Sequence, residues 1–252
     1  MIENKLQKQR FEYKFITKES QVQAIRQFVG AHLNLDAYGA TQPDRSYPVH
    51  SIYLDSKSLL TYTDTINGSR NRYKLRVRYY ENGDDKPVYL EVKRRQDRAI
   101  SKKRAIIHRH VVEELLNGVI PSMNHLHEKT REQFDTLISI CQLIETLEAK
   151  PKVHIKYFRE AYEQLDSNAV RVTFDRNVMS EVIHKIEYKL VPDFPVSVFG
   201  DKIILELKFT DNFPLWFRDL VQHFDLTSGS AAKYVDGLIN LHNHHLITLN
   251  NR

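Results

Sequence analysis

Four of the alternating segments place a glutamate two residues before a lysine: Glu12 and Lys14, Glu91 and Lys93, Glu187 and Lys189, Glu206 and Lys208. Arg76 and Arg78 repeat the spacing with two arginines, while Arg159 and Arg171 stand singly in alternating segments. On a strand, this spacing puts both side chains on one face. A guanidinium forks onto a phosphate through two parallel hydrogen bonds, and an ammonium meets it as a point charge. Carboxylates set among them are the oxygen ligands that a hard divalent cation takes. The chemistry within reach is therefore binding of an anion, with a metal beside it. One glutamate–lysine pair would mean little, because exposed pairs contribute little to stability. Four of them, with the arginines, form a pattern.

Charge is distributed unevenly. The 252 residues carry 37 Lys and Arg against 32 Asp and Glu, a net +5. From Arg70 to Arg104 there are thirteen Lys or Arg and five Asp or Glu, a local excess of eight. Such a block suits nucleic acid, anionic lipid, or a phosphorylated small molecule or polymer. The 41% hydrophobic and 27% charged content is that of a folded chain, and 8 Gly with 8 Pro excludes collagen-like or low-complexity sequence. Apolar runs are too short to span a bilayer, and MIENKLQKQR lacks the apolar stretch of a signal peptide. The one cysteine, Cys141, can form no internal disulfide. A cytoplasmic setting is expected.

Alternation defines the elements that must position these charges. Phe11, Tyr13 and Phe15 alternate with Arg10, Glu12 and Lys14, which predicts a strand over 10–16. Val22, Ile25, Phe28, Val29 and Leu33 predict a helix within 18–35, with Gly30 inside it weakening its end. A proline-containing loop leads to a strand over 50–56. In 72–80, Arg72, Lys74, Arg76, Arg78 and Tyr80 share one face, opposite Tyr73, Leu75, Val77 and Tyr79. ENGDDKP turns the chain, which returns with Tyr89, Glu91, Lys93 and Arg95 on one face and Val88, Leu90 and Val92 on the other. The result is a hairpin with one charged face. Helices are expected over 110–118 and 131–148, the second carrying Cys141 as a core thiol. Strands are expected over 152–163, 169–178, 182–190 and 202–209, then helices over 213–225 and 229–243. Without a repeat or a Gly/Ser linker, one domain over 1–252 is the simpler reading.

A closed barrel could point the charged faces inward, around a polar lumen. Buried cations are costly unless a polyanion or a metal-bound phosphate occupies that lumen. Histidines contribute no defined site: His108 with His110, and His242 with His244 and His245, read as local surface pairings, and no role attaches to His154 or His184.

RFEYKF, HSIYLDS, KLRVRYY, YLEVKRR, SKKRA, YFREAYE, VRVTFD, LELKF and SAAKY follow one another over residues 10–240. In this order they resemble the VTC domain, the polyphosphate polymerase domain of the vacuolar transporter chaperone complex and its bacterial relatives. That domain belongs to the triphosphate tunnel metalloenzymes, with the CYTH phosphatases and fungal RNA triphosphatases. The resemblance implies an α+β fold, an antiparallel β-barrel tunnel with flanking helices. It also implies transfer of the ATP γ-phosphate onto a polyphosphate chain, with manganese or magnesium as cofactor. By motif, it implies catalytic roles for Arg76, Arg78, Lys93, Arg159 and Arg171, and substrate-binding roles for Lys14, Lys103, Lys208, Ser230 and Lys233. Glu206 and Glu12 become the metal ligands. CYTH enzymes begin E-x-E-x-K, and Arg10 stands here at the first acidic position, which favours transfer over hydrolysis and leaves the role of Glu12 open. The implied partners are ATP and polyphosphate or triphosphate, without nucleic acid. Translocation of a product would need a separate membrane protein, placing the chain at the inner face of the membrane. The alternatives are a triphosphate or tripolyphosphate phosphohydrolase of the same fold, and a non-catalytic polyphosphate- or RNA-binding module.

Overall fold

The computed structural model describes residues 10–81, 83–97, 99–165, 169–210 and 212–249; the opening residues read above for a leader lie outside these. The elements run β1 (Arg10–Lys18), α1 (Glu19–Gly30), β2 (Asn34–Leu35), α2 (Ala37–Ala40), β3 (Tyr47–Asp55), α3 (Leu60–Ile66), β4 (Asn71–Tyr79), β5 (Val88–Gln96) and β6 (Ala99–Ile107). They continue with α4 (Val112–Leu116), α5 (Arg131–Leu147), β7 (Lys150–Glu163), β8 (Val170–Val182), β9 (Val196–Ser197), β10 (Lys202–Thr210), α6 (Leu215–His223) and α7 (Lys233–Asn243). The strands form one sheet in the order β1-β10-β8-β7-β3-β4-β5-β6, with β2 on β7 and β9 on β8. This is the expected α+β class, antiparallel strands with flanking helices. The hydrogen-bonded path is open: β1 and β6 are its two ends, and no pairing joins them among the described residues.

Contacts divide the chain into two compact units. The first holds residues up to Pro48, Tyr157–Asn177 and Phe199–Ala231. Its core joins Phe15, Val172, Phe174, Leu205 and Leu207 from strands to Val22, Ile25 and Val29 of α1 and Phe217 and Leu220 of α6. The three α1 residues recur every three to four positions and are fully buried. Each contributes roughly 1.5–3 kcal/mol. The helix ends at Gly30, where the sequence weakens it.

The second unit holds Val49–Lys156, Val178–Val198 and the chain from Ala232. Leu75, Val77, Val88, Leu90, Ala105 and Ile107 of three strands pack on Leu137, Ile140 and Ile144 of α5. Cys141 lies against this core, and burial pushes its thiol up to about 11, as expected of a core residue. Asp55, at the end of β3, is a buried hub: it accepts hydrogen bonds from the amides of Ser56, Thr61 and Tyr62, from Thr61 Oγ1 at 2.8 Å and from Tyr234 Oη at 2.6 Å. Gly237 of α7 sits where a Cβ would meet Ile155 Cδ1 at 2.7 Å and Ser180 Cβ at 3.2 Å. Only a residue without a side chain allows so close an approach.

Two expectations change. Residues 183–190 are not a strand. The β8 ladder ends at Val182, and Ile183, Ile186, Tyr188 and Leu190 then lie on the second core as irregular chain. Conversely, 99–107, to which no element was assigned, forms the full strand β6 against β5.

Candidate functional site

The alternating charges form one cluster in each unit. In the first unit β1 pairs with β10 so that Glu12 faces Lys208 and Lys14 faces Glu206. Next along, β10 pairs with β8, setting Glu206 beside Thr173 and Lys208 beside Arg171. The Glu206 carboxylate, 4% exposed, is ringed by Lys208 Nζ at 2.6 Å, Lys14 Nζ at 3.4 Å and Arg159 Nη2 at 3.8 Å. Lys14 also reaches Glu12 at 3.2 Å and donates to the Ala231 carbonyl at 3.0 Å. Burial lowers the Lys208 ammonium, and Glu206 and Glu12 oppose that shift.

Arg159 forks onto Asp175 through two 2.7 Å hydrogen bonds. Burial would lower its guanidinium, but Asp175, Tyr157 and Glu206 together hold it well above its usual value. Arg171 is drawn to the end of the cluster, where Asp36 and Glu163 each hold it at 2.9 Å. The first unit thus brings together Lys14, Lys208, Arg159, Glu12 and Glu206. Ser230 is exposed in the segment before α7.

In the second unit Glu91 is the centre. Arg76 approaches at 2.6 Å, Lys102 and Arg104 at 2.6 Å, and Arg78 at 4.0 Å. Glu91 is 2% exposed. Burial would raise its carboxyl, but Arg76, Arg78, Lys102 and Arg104 hold it far below the usual carboxylate range. Lys93 lies in register between Lys74 and Lys102. Lys233 opens α7 and is buried.

Lys103 lies elsewhere. It pairs with Val92 on the core side of the sheet, and its Nζ donates to Ser139 of α5 at 3.3 Å. Lys102 and Arg104, one residue to either side, are the members of SKKRA that reach Glu91. Their signal was present: Ala105 and Ile107 are fully buried, so period two puts Lys102 and Arg104 on the opposite face. Asp175 was also missed, for want of any local pattern. The pair Glu187 and Lys189 joins neither cluster. Glu187 lies in the irregular 183–190 segment, 2.7 Å from Lys185 and from Lys189, while Lys189 also pairs with Asp193. These are surface ion pairs.

Glu12 and Glu206 fit the expected metal in one way. No three His, Cys, Asp or Glu side chains converge as a ligand set among the described residues. Two carboxylates on adjacent strands would serve a cation that takes its remaining ligands from phosphate and water, as Mg²⁺ does. Thr173 Oγ1, paired in register with Glu206, is buried without a hydrogen-bond partner, a further oxygen of the kind such a site uses.

The histidines sort as follows. His184 is exposed in the irregular segment, and His108 stacks on His110 beside His127. His154 is buried with His50, their ring nitrogens 3.1 Å apart, and Tyr79 Oη stands 3.2 Å from His154. Burial, then His154 and Lys156, lowers His50 to about 3; burial, then Lys156 and Lys189, lowers His154 to about 4. Below the ordinary 6.5, the unfolded chain takes up protons that the folded chain refuses, so stability falls with acid. From pH 7 to pH 5 the expected loss is about 1–3 kcal/mol. Urea midpoints at the two pH values measure it. A His154→Gln variant with an unaltered slope would count against this origin.

A family model described as the VTC domain matches residues 9–242. No curated protein matches the chain. Solved structures similar to it include a Bacillus halodurans protein named as a candidate adenylate cyclase, at 10% identity and TM-score 0.46, covering 88% of this chain and 93% of that one. The PH1819 protein of Pyrococcus horikoshii OT3 is 12% identical with TM-score 0.46, covering 91% and 98%. A chain of the Schizosaccharomyces pombe Mediator head module is 8% identical with TM-score 0.45, covering 86% and 90%. Likeness of this degree assigns no activity. The family match spans both units and every strand that carries the two clusters, and the chain belongs to the VTC domain family.

Proposed function

We propose that this protein is a metal-dependent polyphosphate polymerase, transferring the γ-phosphate of ATP onto a polyphosphate chain. The observation that carries the reading is the β4–β5–β6 face, where Arg76, Arg78, Lys102 and Arg104 surround Glu91 and Lys93 stands in register between Lys74 and Lys102. A soluble sheet face ordinarily mixes its charges; this one retains an excess suited to a polyanion.

Phosphoryl transfer needs alignment and charge neutralisation more than covalent help from the protein. A terminal oxygen of the polyphosphate chain attacks the γ-phosphorus. The bond from that phosphorus to the β–γ bridging oxygen breaks, ADP leaves with the electron pair, and the chain gains one phosphate. Arg76, Arg78 and Arg104 hold phosphate oxygens by forked hydrogen bonds, with Lys93 and Lys102 adding point charge. In the first unit Arg159, Lys14 and Lys208 offer cations around Glu206. Glu206 and Glu12 would hold the divalent cation, which when bound neutralises charge on phosphate oxygens. No described helix is long and apolar enough to cross a membrane; passage of the polymer across one would fall to a partner protein.

The test is incubation with ATP and Mn²⁺, reading polymer, ADP and orthophosphate. Polymer with stoichiometric ADP is expected. Orthophosphate without polymer would make the protein a phosphohydrolase, and salt-sensitive binding without turnover would make it a binding module.

A further inference from the structure

Beyond Glu91 the cation-rich face continues to the end of the hairpins. The next row across β4, β5 and β6 is Lys74, Lys93 and Lys102, and the row after it is Arg72, Arg95 and Ile100. Neither row contains a carboxylate. Like charges directly opposite on paired strands destabilise a sheet, and here they recur in successive rows. The second row opens into a pocket of about 480 Å³ lined by Gly68, Arg70, Arg72, Arg95 and Asp97. Backbone carbonyls fix two of its arginines: Arg72 donates to Ser69 O at 2.7 Å and Arg95 to Asp97 O at 2.9 Å. Arg70 is tied in by the Asp97 amide, which donates to its carbonyl at 2.9 Å, and its guanidinium stands 4.0 Å from the Asp97 carboxylate. Three arginines and one aspartate leave this pocket with two net positive charges. Burial, then the facing Arg95, lowers the Arg72 guanidinium, and the nearby Asp64 opposes that shift.

We propose that the Arg70–Arg72–Arg95 pocket is a separate subsite for the distal phosphates of a long polyphosphate chain. The proposal rests on the polyphosphate reading above. From Arg78 to Arg72 is six residues along one strand, roughly 20 Å. A triphosphate held at Arg76 and Arg78 cannot also reach Arg72 and Arg95, whereas a longer chain can follow the lysine row to them. Its phosphates would lie between Arg72 and Arg95, which face each other across β4 and β5. The two outer rows offer no aromatic side chain on which a base could stack, so the face suits a bare phosphate chain rather than a single-stranded nucleic acid.

The experiment compares binding of tripolyphosphate, long-chain polyphosphate and a single-stranded RNA oligomer to the full chain and to the Arg72→Gln/Arg95→Gln variant. The wild type is expected to bind long-chain polyphosphate at least tenfold more tightly than tripolyphosphate. The double variant should lose about tenfold on the long chain, stay within twofold on tripolyphosphate, and show a salt slope smaller by about two. An Arg72→Lys/Arg95→Lys variant should keep the slope and most of the affinity. A wild type indifferent to chain length, a double variant weakened equally on both phosphate ligands, or tighter binding of the RNA would overturn the subsite alone. Failure of the wild type to bind either phosphate ligand would overturn the subsite and the polymerase reading together.

Discussion

Glu91→Ala is expected to lower the melting temperature by roughly 5–15 °C, a loss of about 2–4 kcal/mol. Removing one partner of a fully buried ion pair costs about 3–5 kcal/mol, because the other charge is left without compensation. Here the loss is smaller. Glu91 is 2% exposed, but the Lys102 and Arg104 side chains keep 35% and 39% of their surface in water, which screens what remains. Long-chain polyphosphate should restore more stability to the variant than it adds to the wild type, because only the variant lacks an anion at the centre of its cations. Acid should act on the wild type as the substitution does. The folded carboxyl is held below its unfolded value, so its contribution is complete above about pH 4.3 and is lost as the pH falls further. Thermal melts of both proteins, with and without polyphosphate, decide the matter. An unchanged melting temperature would mean that Glu91 does not organise this face.

Glu206→Gln is expected to reduce polymer formation by a factor on the order of 10²–10³. The amide keeps the shape of the side chain and removes its charge, so under the proposed function metal binding is what the substitution withdraws. Affinity for polyphosphate in the absence of metal should hold or rise, because Lys14, Lys208 and Arg159 lose the carboxylate they now surround. The manganese concentration needed for half-maximal turnover should rise. Turnover within tenfold of the wild type at unchanged metal requirement would remove Glu206 from the reaction.

What was legible in the sequence is what a strand records locally. Side chains alternate with a period of two, so the buried face of Leu75, Val77 and Tyr79 announced the charged face of Lys74, Arg76 and Arg78 without knowledge of any neighbour. The same rule, applied to ISKKRAII, separates Lys102 and Arg104 from Lys103. The family motif alone pointed to Lys103, the member that lies on the core side. Residues 183–190 show where the rule fails. Ile186, Tyr188 and Leu190 alternate with Glu187 and Lys189 because one side rests on a core. Alternation reports a buried side; it does not report a neighbouring strand to complete a ladder. Pro192 and Pro195 follow, and no strand resumes until β9. Partners that meet only through packing, such as Arg159 with Asp175 or Arg171 with Asp36, leave no local trace at all.

The position of Lys233 is inherited from a distant part of the chain. Tyr234, the next residue, gives its hydroxyl to Asp55, and Gly237 lets the helix settle against Ile155 and Ser180. One carboxylate at a strand end and one missing side chain thus act as the mooring and the berth of α7. A change at either place would steer the lysine without touching it.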